Sequence, residues 1–468
     1  MIPISTSIFW DLFPTSSFSL PLLATAPDAE NSSVVLTGVL LSLVVIYLAS
    51  KLGGELSKRL DLPPVLGELV GGVVVGASVL HLVVFPESGA TATDSVLMSV
   101  LQSIGGLSPE SVVSVFQSQS EAITILAELG VIILLFEIGL ESDLRELGKV
   151  GYQAAVAACV GVVVPFTAGT VGLMYFFGVP TIPAIFAGAA LTATSIGITS
   201  KVLSEIGYLK SREGQIIVGA AVIDDVLGII VLAVVASLAK TGEVDILNVV
   251  FLIVSATTFL LGSILLGKFF NKRFVAIADK LQTRGNLVIP AFIFAFFMAF
   301  LANAIHLEAI LGAFAAGLVL DETDKRKELD KQVIPIADIF VPIFFVTVGA
   351  KVDLSVLNPV IPSNREGLAI AAFLIVVAII GKLVTGWSVF GQPGINRLAI
   401  GIGMIPRGEV GLVFAGIGAA SGVLDKPLQA AIIIMVILTT FIAPPGLRFA
   451  FKSSPDSEET VKPVDSAG

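Results

Sequence analysis

The sequence predicts an all-α polytopic membrane protein, and three observations carry that prediction. Of the 468 residues, 55% are hydrophobic and only 14% are charged, where a soluble domain carries about 25% charged residues. Mean hydropathy is +0.97, and the apolar residues gather into runs long enough to cross a bilayer as helices. Lys and Arg alternate from loop to loop, as they do when successive loops face opposite sides of a membrane. The net charge of −10 says less than this placement. A single cysteine, Cys159, excludes an internal disulfide. There are only two histidines and no His/Cys cluster, so no resident metal is expected. No glycine-rich phosphate loop joins a strand to a helix, so no cofactor and no nucleic-acid partner are expected.

Taken in order, residues 1–32 form a moderately apolar leader ending in LLATAPDAENSS. Its Ala-Thr-Ala resembles a cleavage site, but no basic segment precedes it, which favours a retained leader over a signal peptide. Thirteen spans follow in a membrane domain of residues 33–452, punctuated by charge, Gly or Pro. They cover 34–49, 63–84, 122–140, 150–177, 181–206, 213–237 and 246–270, then 286–304, 307–320, 333–349, 368–390, 395–421 and 426–441. The connection 85–121 reads as a long outer loop without Lys or Arg. Residues 453–468 are polar, and their composition predicts a disordered tail.

The charges test this division. With the N-terminus outside (or lumenal) and the C-terminus cytoplasmic, inner loops hold clusters such as Lys51, Lys58 and Arg59, or Lys325, Arg326, Lys327 and Lys331. Outer loops hold Lys240, Lys351, Arg365 and Lys426 alone. An odd number of spans divides into six helices, a linker helix at 246–270, and six more. The two sixes then have opposite orientation, the inverted-repeat plan of secondary transporters. That plan predicts interrupted helices at matching places. The fifth span contains LTATSIG at 191–197, and the twelfth contains GMIPRGE at 403–409. Both carry Gly and helix-breaking or backbone-competing residues at mid-depth. Two such breaks facing each other leave four half-helix ends near the midplane, which polar groups must satisfy.

The helix at 213–237 holds Asp224 and Asp225 side by side in an apolar run. A carboxylate at membrane depth costs roughly 2.5–3.5 kcal/mol on insertion scales. Val or Leu would pack better, so the pair marks function. Lys382 sits in the eleventh span, about 12 Å from the nearer surface at 1.5 Å per residue. It either snorkels or pairs with a buried acid, for which Asp224, Asp225 and Glu409 are available. At the first break Thr192, Thr194 and Ser195 offer hydroxyls, either to an ion or to their own helix. Arg407 and Glu409 are expected to neutralise half-helix ends at the second break rather than to bind an ion directly. Glu68 and Glu137 read as interfacial, with Glu137 a candidate for a vestibule, and His306 as interfacial.

The motifs LTATSIGITSKVL (191–203), VIDDVLG (222–228), LGAFAAGLVL (311–320), IFFVTVG (343–349) and MIPRGEVGLVFAG (404–416) together resemble a known family. It is the monovalent cation:proton antiporters, in their Kef/NapA-like branch, and the likeness extends to cyanobacterial sodium/proton antiporters. The resemblance implies a NapA/NhaA-like fold: a core of helices at about 150–237 and 368–441, and a dimerisation scaffold at about 34–140 and 286–349. Spans five and twelve cross at their breaks. It implies a homodimer in a bacterial inner membrane, or a thylakoid membrane if the source is cyanobacterial. It also implies that Asp225 binds the transported Na⁺, that Asp224 pairs with Lys382, and that Thr194 and Ser195 contact the ion. In the family, Asp-Asp with a lysine accompanies electrogenic exchange, and Asn in place of the first Asp, without the lysine, electroneutral exchange. Sodium or lithium exchange for protons is the expected function, with potassium/proton exchange its rival, because nothing in the sequence sets cavity size. A channel or sensor with a fixed charged pair is the rival of another class. An enzyme is not expected, since intramembrane proteolysis uses aspartates on separate helices.

Overall fold

A computed structural model describes residues 29–105, 108–241, 245–358, 362–391 and 394–452. Most of the leader (1–28) and the tail (453–468) lie outside the described residues. Within them the chain is helical throughout. In order come α1 (Ala29–Arg59), α2 (Pro64–Val75), α3 (Val96–Gly105), α4 (Pro109–Glu141), α5 (Leu144–Phe177), α6 (Thr181–Ala190), α7 (Ile196–Glu205) and α8 (Arg212–Thr241). Then come α9 (Ile246–Ala278), α10 (Val288–Ala304), α11 (Ala309–Asp321), α12 (Arg326–Ala350), α13 (Pro362–Trp387), α14 (Arg397–Gly403), α15 (Glu409–Ala420) and α16 (Lys426–Lys452). Among the described residues, eight helices are long and apolar enough to cross a membrane: α1, α4, α5, α8, α9, α12, α13 and α16. The helices α2, α6, α10 and α11 are apolar but shorter. The chain is an integral membrane protein.

The helices pack in two groups. In one, α4 lies against α11 and α12, α2 against α1 and α12, and α10 against α11. In the other, α5 packs on α8, α13 and α6, and α16 packs on α13, α14 and α15. The short α7 belongs to the second group through α8 and also touches α4 and α2 of the first. At that contact Ser204 Oγ donates to Glu141 Oε2 at 3.0 Å, and Glu205 Oε2 accepts the Val65 N–H at 3.2 Å. Arg448 and Lys452 of α16 both pair with Asp61 in the α1–α2 turn. Polar contacts between the groups thus include those where α7 and α16 meet the ends of α1, α2 and α4, and Arg145 of α5 also reaches Glu322 beyond α11 at 3.9 Å.

Several boundaries differ from those read in the sequence. The run expected at 63–84 is helical only to Val75. Gly76 is extended, His81 takes a positive φ of 51°, and the Leu82 and Val83 N–H groups return to Val75 O, so the chain folds back on itself. The connection 85–121 is not a plain loop. It contains α3 and the first turns of α4, which Pro109 starts and the Ser108 hydroxyl caps by accepting the Ser111 N–H. The first, tenth and last spans run on to Arg59, back to Arg326 and on to Lys452. Hydropathy stops at the first charge, whereas helical hydrogen bonding continues beyond the apolar slab.

The first group is held by close helix crossings. A side chain at Gly317 of α11 would put its Cβ 2.3 Å from Phe136 O, and one at Gly139 of α4 would sit 2.4 Å from Phe314 O. Small residues let backbones approach where lipid gives no hydrophobic drive between helices. Gly317→Ala is therefore expected to lower stability by about 1–3 kcal/mol through overpacking. Gly262→Ala on α9, with open space around it, should hold stability or raise it. Thermal unfolding of the two purified variants in detergent checks the contrast, and equal melting temperatures would remove the crossing's role.

Candidate ion site

Both predicted interruptions are present. The chain leaves helical geometry between α6 and α7 at Leu191–Ser195, and between α14 and α15 at Met404–Gly408. The two breaks satisfy each other. Ser195 N–H donates to Pro406 O at 2.9 Å, and Thr194 Oγ1 to Met404 O at 3.1 Å. Thr199 Oγ1 donates to Gly403 O at 2.9 Å. In the other direction, Arg407 Nη1 donates to Ala193 O at 2.8 Å. The Thr440 hydroxyl of α16 donates to Arg407 O. Carbonyls freed by each break thus find donors on the other break or on a packed neighbour, the condition for irregular backbone at membrane depth. The approach is close enough to need Gly408, where a Cβ would lie 2.8 Å from Ser195 Oγ.

The carboxylates come from α8, which packs on α5, α6, α7, α14 and α15. Asp224 is fully buried and Asp225 is 3% exposed. Gly228 lies one turn on, on the same helix face, and a Cβ there would be 3.6 Å from Ala193 Cβ. The face bearing the acids therefore approaches the first break. Lys382, fully buried on α13, brings Nζ to 3.1 Å from Asp224 Oδ2. Replacing a buried ion pair by well-packed apolar residues is often neutral or stabilising, so packing alone does not explain it.

Thr194, Ser195 and Arg407 meet at the crossing, and Asp224 and Lys382 meet beside it. Thr192 is buried there too, but its hydroxyl turns back to Ala189 O at 2.8 Å. Glu409 opens α15, and its side chain lies outside the described residues. Glu68 and Glu137 stand apart from the site. Glu137 of α4 is buried, and Glu68 of α2 accepts a hydrogen bond from Ser50 at 2.9 Å. His306 takes a positive φ of 63° at the turn after α10 and sets its ring edge-on to Phe251. Thr199 and Thr440 give no sign of this role in the sequence beyond a hydroxyl in an apolar run, and Pro406 is marked there only as the breaker of its helix.

The site is incompletely satisfied. Asp224 Oδ1, Arg407 Nε and Arg407 Nη2 are buried with no hydrogen-bond partner among the described residues. Asp224 lies within Coulombic reach of both Lys382 and Arg407. A half-satisfied buried network is costly. Buried charge at membrane depth marks a functional site rather than a packing core.

The chain belongs to the sodium/hydrogen exchanger family, whose transmembrane model matches residues 39–453. It is 62% identical over 446 residues to the high-affinity Na⁺/H⁺ antiporter NhaS3 of Synechocystis sp., covering 95% of this chain and 97% of that protein. It is 34% identical to the Na⁺/H⁺-K⁺ antiporter GerN of Bacillus cereus, over 87% of this chain and 95% of GerN. The fold is also that of the sodium proton antiporter MjNhaP1 from Methanocaldococcus jannaschii. That likeness has a TM-score of 0.59 and 16% identity, over 90% of this chain and 98% of that one.

Proposed function

We propose that this protein exchanges Na⁺, or Li⁺, for H⁺ across its membrane, with cation and protons taking turns at Asp225. The observation that carries the reading is the meeting of two interrupted helices beside a helix with two buried adjacent carboxylates, one paired to a buried lysine. A charged carboxylate at this depth is expensive, and a bound proton or cation lowers that cost. Arrival of one expels the other, which couples the two fluxes. Thr194 and Ser195, at the first break, add oxygens from a hydroxyl-rich segment suited to a hard monovalent cation. Asp224 and Lys382 form a second switchable pair. If the cation draws Asp224 away, Lys382 gives up its proton, more than one proton enters per sodium leaving, and the exchange is electrogenic. Arg407 and Glu409 serve the breaks rather than the ion.

In this reading the chain crosses the membrane thirteen times as two inverted sixes around α9. The group containing α5–α8 and α13–α16 moves against the group containing α1–α4 and α10–α12, opening the site alternately to each side. A homodimer through the second of these groups would hold it still. The N-terminus faces the outside or lumen of a bacterial inner or thylakoid membrane.

The relative GerN is a Na⁺/H⁺-K⁺ antiporter, so potassium exchange is the competing reading. Proteoliposomes loaded with a pH-sensitive dye separate them. Na⁺ and Li⁺ are expected to dissipate an imposed pH gradient, with K⁺ far weaker. Equal response to K⁺ favours the rival, and ion conduction without proton movement defeats both.

A further inference from the structure

We propose that Gly161 of α5 is a positioning residue: its missing side chain leaves the slot in which Lys382 reaches Asp224. The proposal rests on the sodium-exchange reading and deepens it. Gly161 is buried on the α5 face that meets α13. A Cβ built on it would lie 3.2 Å from Lys382 Nζ and 3.6 Å from Lys382 Cδ. On the other side it would lie 3.1 Å from the Thr385 methyl, one turn along α13. The two helices already lie close together along this face. One turn further along α5, a Cβ on Gly381 would already press on Pro165 at 2.8 Å. The Thr385 hydroxyl is committed to Lys382 O at 2.6 Å.

Any side chain at 161 therefore acts on the soft partner, the lysine ammonium. Giving way by a few tenths of an ångström shifts the ammonium within its 3.1 Å contact with Asp224 Oδ2 and weakens that pair. Among the described residues, the charged groups acting on the ammonium are Asp224 on α8 and Arg407 at the second break. Shifting it draws positive charge away from the Asp224–Asp225 pair, while Arg407 keeps its Nη1 bound to Ala193 O. A glycine in a span needs no such explanation if it only lets helices approach. Here the nearest atoms to the absent Cβ are those of the functional lysine and its helical neighbour.

The test uses the full chain in detergent and reads sodium binding as the rise of melting temperature with Na⁺ concentration. Gly161→Ala is expected to move the half-saturating Na⁺ concentration several-fold, in the direction that Lys382→Gln moves it. Combined with Lys382→Gln it should add nothing, because the group it displaces is gone. Gly161→Ala with Thr385→Ser removes the methyl clash but keeps the hydroxyl, so it isolates crowding of the lysine and guards against misfolding. It should retain the full sodium shift. A half-saturation unchanged by Gly161→Ala, or a shift that persists undiminished in the Lys382→Gln background, overturns the proposal. So does failure of both alanine variants to fold, which would make Gly161 a packing residue. The exchange reading is tested separately by the sodium response of the unsubstituted chain.

Discussion

Asp225→Asn is expected to reduce sodium-driven proton release from proteoliposomes to the level of protein-free vesicles while leaving the protein folded. Asparagine matches the shape of the carboxylate, so the packing of α8 against the two breaks survives. What it removes is the ability to hold either a proton or a cation's compensating charge. The two fluxes should therefore vanish together, not one before the other. Because Asp225 is 3% exposed, removing its charge also removes a desolvation cost, which offsets the contacts the carboxylate loses. Stabilisation by sodium should disappear. A site filled at 100-fold excess over its Kd adds about 2.7 kcal/mol, an effect large enough for its loss to be plain in a melting curve. Asp225→Glu keeps the charge and should retain part of both signals. Undiminished exchange in the Asn variant would remove Asp225 from the mechanism.

The parts of this site that could be read from the residues share one property: each violates the local rule for an apolar helix. Asp224, Asp225 and Lys382 are charges where lipid forbids them. The segments 191–197 and 403–409 put Gly, Pro, Thr and Ser where an uninterrupted helix would place Leu and Val, and both are interrupted. Where the local rule is obeyed, the sequence was silent. Thr440 and Thr199 look like any hydroxyl bonding back to its own helix, and only the fold brings them to Arg407 O and Gly403 O. Gly161 reads as one of many small residues until α13 is laid across it. The stretch 63–84 misled because hydropathy measures what lipid tolerates, not where hydrogen bonding stops. Its helix ends at Val75 although apolar residues continue. At 108–121 the Ser- and Gln-rich composition masked a capped helix start that Ser108 and Pro109 spell out in order.

Removing one member of the Lys382–Asp224 pair is expected to harm the protein more than removing both. Lys382→Gln leaves Asp224 buried without its cation, and Asp224→Asn leaves the ammonium without its anion. Either break costs about 3–5 kcal/mol by the usual measure of a severed buried pair. Lys382→Gln with Asp224→Asn replaces both charges by neutral polar groups of similar shape that can still hydrogen-bond. Most of the loss should return, giving a double-mutant interaction energy far from zero, as for residues in direct contact. Thermal unfolding of the four proteins reads this directly. Transport should divide in a different way. Asp225 is intact in the double variant, so sodium and proton still compete and coupled exchange persists. The lysine proton is gone, so each cycle carries one proton fewer. Current recorded on a supported membrane should fall toward zero while dye-detected proton exchange remains. A double variant that is both stable and fully electrogenic would place the second proton somewhere other than Lys382. One that is stable but inactive would make the pair part of the binding step itself.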